Sequence, residues 1–402
     1  MKKLLSAVVM ATVFSAGSAL AAGFALDTQT ARATSMGSAM TAGVDDPSAI
    51  YYNPAGLALT QGLRVMAGLH LIVPGVSFEP TGGEKVTVAS TPSTPPHVFA
   101  SVKLSDEVAF GLGIYTPFGN TAKWPDGWVG EQLITRSQLQ TFYISPSFGF
   151  KVADRLRVGI GMDFVRGVVV QERVLNFVDS KGSLALGGAT WGSGANAGIQ
   201  VDIMKDMLTA AVVYRGNVLL PFEGSVDFKD VPPELSGRLK DQDVTADILL
   251  PSQWQLGLSY KPFEKLRIGV DAWHVNWSSF RSLKVVFEDA ALTSDDPKRW
   301  EDVWSYRFGG EYAVTDAVTA RLGFKVDPSP SPEDTLAPNL PDANRVTINA
   351  GGGYAMGDFQ FDLAYQLTIL NPRESTYAPL PGTYGGLAHV IGLTVGFHLD
   401  KL

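Results

Sequence analysis

Ile391-Gly392-Leu393-Thr394-Val395-Gly396-Phe397-His398-Leu399 decides the fold. Ile391, Leu393, Val395, Phe397 and Leu399 share one face of an extended chain, and Gly392, Thr394, Gly396 and His398 share the other. The apolar face is the bulky one and the opposite face is small or polar. The same split places Phe361, Leu363, Tyr365 and Leu367 against Gln360, Asp362, Ala364 and Gln366. It also places Val318, Ala320, Leu322 and Phe324 against Thr319, Arg321, Gly323 and Lys325. A soluble sandwich can alternate in this way, so loop lengths have to separate it from a membrane wall.

Strands read at about 63–73, 97–104, 108–116, 138–152, 156–174, 195–204, 207–227, 248–261, 266–288, 301–313, 317–327, 344–356, 359–371 and 386–399. Their connections alternate. Short turns such as Ser105-Asp106-Glu107, Ala153-Asp154-Arg155, Lys205-Asp206 and Gly357-Asp358 follow every second strand. The longer connections hold Pro92, Pro95, Pro232, Pro233, Pro328, Pro330 and Pro341. An even strand count with short turns at one end and long loops at the other predicts an all-β fold, a transmembrane antiparallel 14-stranded β-barrel. Trp254, Tyr260, Tyr312, Tyr354 and Tyr365 near strand ends fit interfacial aromatic girdles. The short turns and the N-terminus are expected on the periplasmic side.

The chain start agrees with export. Lys2 and Lys3 precede an apolar run from Leu4 to Phe14, and Ala19-Leu20-Ala21 has the small-residue pattern of a cleavage site, so 1–21 reads as a signal peptide. After it, no apolar run reaches the length of a membrane-spanning helix. Composition fits the same class: of 402 residues 45% are apolar and only 18% charged, with 42 glycines, 24 prolines and no cysteine. Disorder and a disulfide scaffold are thereby excluded. Acidic residues outnumber basic ones by 40 to 32 with no Lys/Arg block, so no nucleic-acid partner is expected.

Residues 22–62 do not alternate. Glycines 23, 37, 43, 56 and 62 stand among small residues, and the segment closes on Asn53-Pro54-Ala55-Gly56-Leu57. Lying before the first strand, it reads as an N-terminal hatch inside the lumen or as a periplasmic tail, and 63–402 as the barrel.

These marks together resemble the FadL/TodX family of outer-membrane transporters of fatty acids and other hydrophobic compounds. The resemblance rests on Ala22-Gly23-Phe24, on Asn53-Pro54-Ala55-Gly56-Leu57, and on Gly111-Leu112-Gly113-Ile114-Tyr115-Thr116-Pro117-Phe118-Gly119 with Trp124. It also rests on Pro251-Ser252-Gln253-Trp254, on Asn276-Trp277-Ser278-Ser279-Phe280, and on the stretch from Asp327 to Arg345. It implies a hatch motif at Asn53, Pro54 and Ala55, and a kinked third strand leaving a lateral opening beside the hatch. Gly111, Gly113, Pro117, Phe118 and Gly119 are the candidates for that opening, because proline withholds a ladder donor and glycine fills no space. It further implies a hydrophobic ligand, a monomer, and surroundings of outer-membrane lipid and lipopolysaccharide.

Two further sets of residues are candidates for ligand contact. Alternation turns Arg307, Lys325 and Arg345 inward, where they form either a headgroup site or one side of a salt-bridge ladder with Asp302, Glu311, Asp327 and Asp342. Leu175, Phe177, Leu184, Leu186 and Trp191 between strands five and six, with Phe228 and Leu235 between strands seven and eight, form either an outer-loop entry groove or a packed pair of loops. No catalytic constellation is present. The five histidines lack metal-ligand spacing, and Asp45-Asp46 and Asp295-Asp296 read as solvated carboxylates rather than a cation site. No enzyme, no cofactor and no metal is expected; a polar-solute porin, an aromatic or alkane channel and a surface interaction barrel are the alternatives to fatty-acid uptake.

Overall fold

The computed structural model describes residues 23–89 and 92–400, so the signal-peptide reading of 1–21 lies outside the described residues. Fourteen antiparallel strands close into a ring. They are β1 (Leu63–Pro80), β2 (Pro96–Lys103), β3 (Val108–Tyr115 and Gly119–Lys123), β4 (Arg136–Ala153), β5 (Leu156–Asn176), β6 (Lys181–Met204) and β7 (Leu208–Arg215 and Val218–Lys229). Then come β8 (Gln242–Leu250 and Gln253–Phe263), β9 (Leu266–Val275 and Ser282–Phe287), β10 (Ser294–Pro297 and Val303–Ala313), β11 (Val318–Asp327), β12 (Arg345–Met356), β13 (Phe359–Ser375) and β14 (Gly382–Leu399). The ring closes where β1 pairs with β14, from Leu63↔Leu399 to Pro80↔Gly382. Closure matters physically because hydrocarbon offers no partner to an open strand edge.

The period-two pattern sorts as the sequence indicates. Trp304, Tyr306 and Phe308 on β10, Leu322 and Phe324 on β11, and Ile391, Leu393 and Val395 on β14 are exposed on the outer face. Between them Ser305, Arg307, Lys325 and Thr394 are buried on the inner face. A wall that leaves its bulky apolar residues outside and buries its cations inside is built for lipid outside and packed protein within.

Strand lengths differ from the sequence reading in two ways. First, β5 and β6 run on to Asn176 and from Lys181, so 174–194 is mostly strand with a tip at 177–180 rather than a long loop. The glycine-rich run in β6 hides this, since glycines weaken alternation without ending the ladder. Second, β3, β7 and β8 are each broken. The inward positions are odd through Tyr115 and even from Phe118, odd through Arg215 and even from Val218, and even through Leu250 and odd from Gln253. Pro117, Gly216 and Pro251 stand at these changes of phase.

Residues 23–62 contain two short helices, α1 (Ala31–Ser35) and α2 (Ala49–Tyr52), followed by a 3-10 turn at Pro54–Leu59. Thr30 caps α1 by accepting from the Ala33 N–H. The segment touches the inner face around the ring: the Ala31 N–H donates to Thr394 Oγ1 on β14 (2.9 Å), Thr41 Oγ1 to Asp271 Oδ2 on β9 (2.6 Å), and Asn53 Nδ2 to the Ile199 carbonyl oxygen on β6 (3.4 Å).

Candidate functional site

Glycines in the wall make room for the segment. A Cβ on Gly159 would lie 2.1 Å from the Pro54 carbonyl carbon, and one on Gly198 would lie 2.1 Å from Asn53 Oδ1. Asn53 in turn accepts from the Ala55 N–H (3.0 Å) and donates to the Thr41 carbonyl oxygen (2.8 Å), which fixes the turn that Pro54 opens. Gly159→Val therefore has to push backbone rather than a flexible side chain. We expect it to destabilise the seated segment by about 2–3 kcal/mol, and to raise proteolytic cutting within 23–62 of the folded barrel several-fold; cutting at the unsubstituted rate would show that this contact does not hold the segment.

Toward the short-turn end the anchor is ionic. Arg32 meets Asp45 (2.6 Å), Asp46 (2.8 Å) and Glu311 (3.0 Å), while Arg267 reaches Asp45 (2.6 Å). The Asp45-Asp46 pair is thus held by arginines and is not the solvated turn that the sequence suggests. Burial alone would raise the Asp45 carboxyl, but Arg267 and Arg32 outweigh it and hold it far below the usual carboxylate range. Among the described residues no cluster of His, Asp and Glu has the arrangement of a metal site.

At the other end of the segment, residues 24–29 run along the break in β3. β2 and β3 stay paired up to Val98↔Ile114, and beyond the break Gly119–Lys123 pairs only with β4. Backbone groups left bare there are satisfied by the hatch. The Leu26 N–H donates to the Pro117 carbonyl oxygen (2.7 Å), and the Gly119 N–H donates to the Phe24 carbonyl oxygen (2.9 Å). Ala25 and Phe118 face each other as bridge partners, and Gln29 Nε2 donates to the Thr116 carbonyl oxygen (3.0 Å). The five opening candidates therefore fall into two groups. Pro117, Phe118 and Gly119 form the break. Gly111 and Gly113 remain in ladder with both neighbours, and a Cβ on either would meet Ile50 at about 2.9–3.0 Å, so they admit α2.

Phe24 is enclosed by four aromatic rings, with centroid distances of 4.7 Å to Trp277, 5.5 Å to Phe280, 5.7 Å to Trp300 and 6.0 Å to Phe118. Three residues on, the Asp27 carboxylate receives Lys325 Nζ at Oδ1 (2.7 Å) and Arg307 Nη2 at Oδ2 (3.2 Å). Asp327 lies 3.5 Å from Arg307 and 3.9 Å from Lys325. Burial acts to raise the Asp27 carboxyl, yet the two cations hold it below its ordinary value. Register places Arg307 opposite Lys325, and Arg345 opposite Asp327. Arg345 pairs with Asp342 and donates to the Gly23 carbonyl oxygen (3.4 Å), while its Nε and Nη1 are buried without a hydrogen-bond partner. Of the acids the sequence offered for a ladder, Asp327 and Asp342 take part. Glu311 serves Arg32 and Arg321, and Asp302 accepts from the Ser278 N–H. The principal counter-charge, Asp27, and the cage member Trp300 were not legible as site residues.

The outer apolar set is only partly assembled. Leu184 and Leu186 pack with Val226, Val244, Val285 and Phe287, and Leu175 and Phe228 lie against this cluster. Trp191 has the opposite phase on β6. It is exposed on the outer face beneath the Arg166 guanidinium, 5.6 Å from the ring centre. Leu235 is exposed in the connection after β7.

Comparison with known proteins adds the family. The family described as "Outer membrane protein transport protein (OMPP1/FadL/TodX)" matches residues 12–398. Among curated relatives, the "Long-chain fatty acid transport protein" of Escherichia coli K12 is 22% identical over 77% of this chain and 79% of its own. The "47 kDa outer membrane protein" of Pasteurella multocida is 23% identical over 95% of each chain. Among solved structures, a Pseudomonas aeruginosa FadL homologue superposes with a TM-score of 0.85 at 20% identity, covering 94% of this chain and 99% of that one. The Pseudomonas putida toluene transporter TodX superposes with a TM-score of 0.74 at 16% identity, covering 92% and 99%.

Proposed function

Because this chain belongs to the FadL/TodX family of outer-membrane transport proteins, we propose that it passes hydrophobic compounds through the outer membrane without catalysis, and that residues 23–29 occupy the ligand's place until ligand arrives. The observation that carries this reading is the pairing of Phe24 in an aromatic cage with Asp27 on two buried cations. An apolar body and a carboxylate three residues apart present the outline of an amphipathic acid. A long-chain carboxylate entering from the outer end exchanges both at once: its tail takes the cage and its headgroup takes Arg307 and Lys325, with the unpartnered N–H groups of Arg345 nearby.

The packed lumen supports this over a polar-solute porin. Displacement of 24–29 also uncovers the break in β3, because the same residues satisfy its backbone. Releasing a sixteen-carbon chain into water would forfeit about 12 kcal/mol at roughly 0.8 kcal/mol per methylene, whereas a lateral exit beside Pro117–Gly119 leads into hydrocarbon. A neutral aromatic hydrocarbon is the second reading, favoured by a cage of Phe118, Trp277, Phe280 and Trp300 that contains no charged side chain. It would displace Phe24 and leave Asp27 in place.

Neutralising Arg307, Lys325 and Arg345 separates the two. If the ligand is a carboxylate, palmitate binding to the folded barrel weakens at least tenfold while toluene binding is unchanged. Equal loss for both, or loss for neither, would return the three cations to a structural role and favour the neutral ligand.

A further inference from the structure

β7 leaves the cylinder and returns out of phase. Its first segment turns Val213 and Arg215 inward, and its second turns Val218, Leu220 and Phe222 inward. The ladder with β6 ends at Asn196↔Arg215 and resumes at Ala189↔Glu223, so 190–195 of β6 run beside 216–222 of β7 without paired residues. One more residue on β7 than on β6 in that interval is a bulge, which bends its strand. The bend is inward. A Cβ on Gly192 would lie 2.4 Å from the Leu219 carbonyl oxygen, and one on Gly194 would lie 2.8 Å from a Val218 methyl, so β7 crosses the inner face of β6 there. Arg215 holds it in that position, donating to Asp163 Oδ2 (2.6 Å) and to the Tyr51 carbonyl oxygen of the hatch (3.0 Å).

A strand that moves inward leaves a hollow behind it. On the outer face a recess of about 640 Å³ lies between the bend and β4, lined by Pro146, Ile160, Met162, Ala195, Ala197 and Tyr214. The β4–β5 ladder lapses between Ile144↔Phe164 and Ser147↔Gly161 without a change of register, so that Pro146 stands opposite Met162 outside the ladder. The recess is continuous with the lipid-facing wall: Ile160 and Met162 are exposed there, and the Tyr214 ring lies tilted against Trp254 with centroids 4.6 Å apart. Small side chains at Ala195 and Ala197 leave it unfilled by the protein, whereas Trp191 and Ile199, exposed outward on the same strand, are large.

We propose that this recess is a binding site for one hydrocarbon chain of an outer-membrane lipid, which backs the bend of β7. Asn196 and Asn217 also border the recess, but most of its wall is apolar, so water gains little there and an empty apolar hollow forfeits contacts on every side. The bilayer supplies flexible hydrocarbon at that depth. No charged side chain lines the recess, so the chain rather than the headgroup is what it selects, with the headgroup left at the level of Tyr214 and Trp254. The inference is independent of which compound the lumen transports.

Native mass spectrometry of the folded barrel, taken from vesicles of palmitoyl-oleoyl phosphatidylglycerol into detergent, tests it. We expect one phosphatidylglycerol to remain at collision energies that strip all others. Ala195→Phe/Ala197→Phe, which fills the recess with protein, should lower that retention at least tenfold, and Ala320→Phe, at an exposed position on β11 far from it, should not. If the double variant loses the heat-dependent gel mobility of a folded barrel, Ala197→Leu alone provides the same readout. Absence of retained lipid from the unsubstituted protein, equal retention by the filled variants, or displacement of the lipid by equimolar palmitate would overturn the proposal.

Discussion

Phe24→Ala is expected to tighten binding of a hydrophobic ligand rather than weaken it. Removing a fully buried phenyl ring costs about 3–5 kcal/mol of packing, all of it stabilisation of the closed hatch. If ligand has to evict that ring, the closed state is a tax on its apparent affinity, set by the fraction of molecules whose cage is vacant. Loss of even a third of the packing energy, about 1.4 kcal/mol, is a tenfold gain in affinity. Trp277 and Trp300 flank the ring at 4.7 and 5.7 Å, so quenching of tryptophan fluorescence by palmitate or toluene reads the change. Tighter binding supports a self-occupied site; weaker binding would make Phe24 a wall of the ligand site instead of its occupant.

Asp27→Asn acts on the other half of the same segment. The substitution keeps the shape and removes the charge that Lys325 and Arg307 share. Taking one partner from a buried ion pair costs about 3–5 kcal/mol, and the remaining Asp327, at 3.5 and 3.9 Å, places the loss at the lower end of that range. Residues 23–29 should then detach in a substantial fraction of molecules, seen as proteolytic cutting between 24 and 29 and as measurable swelling of barrel-containing liposomes in sugar. Resistance equal to that of the unsubstituted barrel would mean that the aromatic cage alone seats the segment.

Much of the wall was legible because lipid imposes a strict rule. Ile391, Leu393 and Val395 could be assigned outward, and Arg307, Lys325 and Arg345 inward, since a register slip of one residue would move a cation into hydrocarbon. The breaks in β3, β7 and β8 are written in the same pattern as changes of phase at Pro117, Gly216 and Pro251, yet only the first is expected beforehand, and that from the family resemblance rather than from phase. Reading each strand for phase as well as for alternation would find the other two. The long β5–β6 hairpin was missed for a different reason: glycines 187, 188, 192 and 194 carry no side chain to alternate.

The lumen was harder to read because its contacts join residues hundreds of positions apart. Asp27 meets Lys325 and Arg307, and Phe24 meets Trp277 and Trp300. A partial signal existed, since Asp27 is the lone acid between Ala22 and Val44 and Arg32 the lone base. Isolated opposite charges in a segment of small apolar residues have to find partners outside it when they are buried. Which partners they find depends on how the segment threads the ring, and no local pattern encodes that path.

A disulfide at the hatch tests whether residues 23–29 block the lateral route and move aside for ligand. Ala25 and Phe118 are opposed at a pair flanked by the hydrogen bonds from Leu26 N–H and Gly119 N–H, which makes it the close, non-hydrogen-bonded kind. The protein contains no cysteine to confuse the result. In Ala25→Cys/Phe118→Cys reconstituted in vesicles, oxidation should abolish transfer of palmitate into the bilayer while the barrel stays folded, and reduction should restore it. Transfer at the unsubstituted rate in the fully oxidised protein would contradict both the moving hatch and the exit at β3.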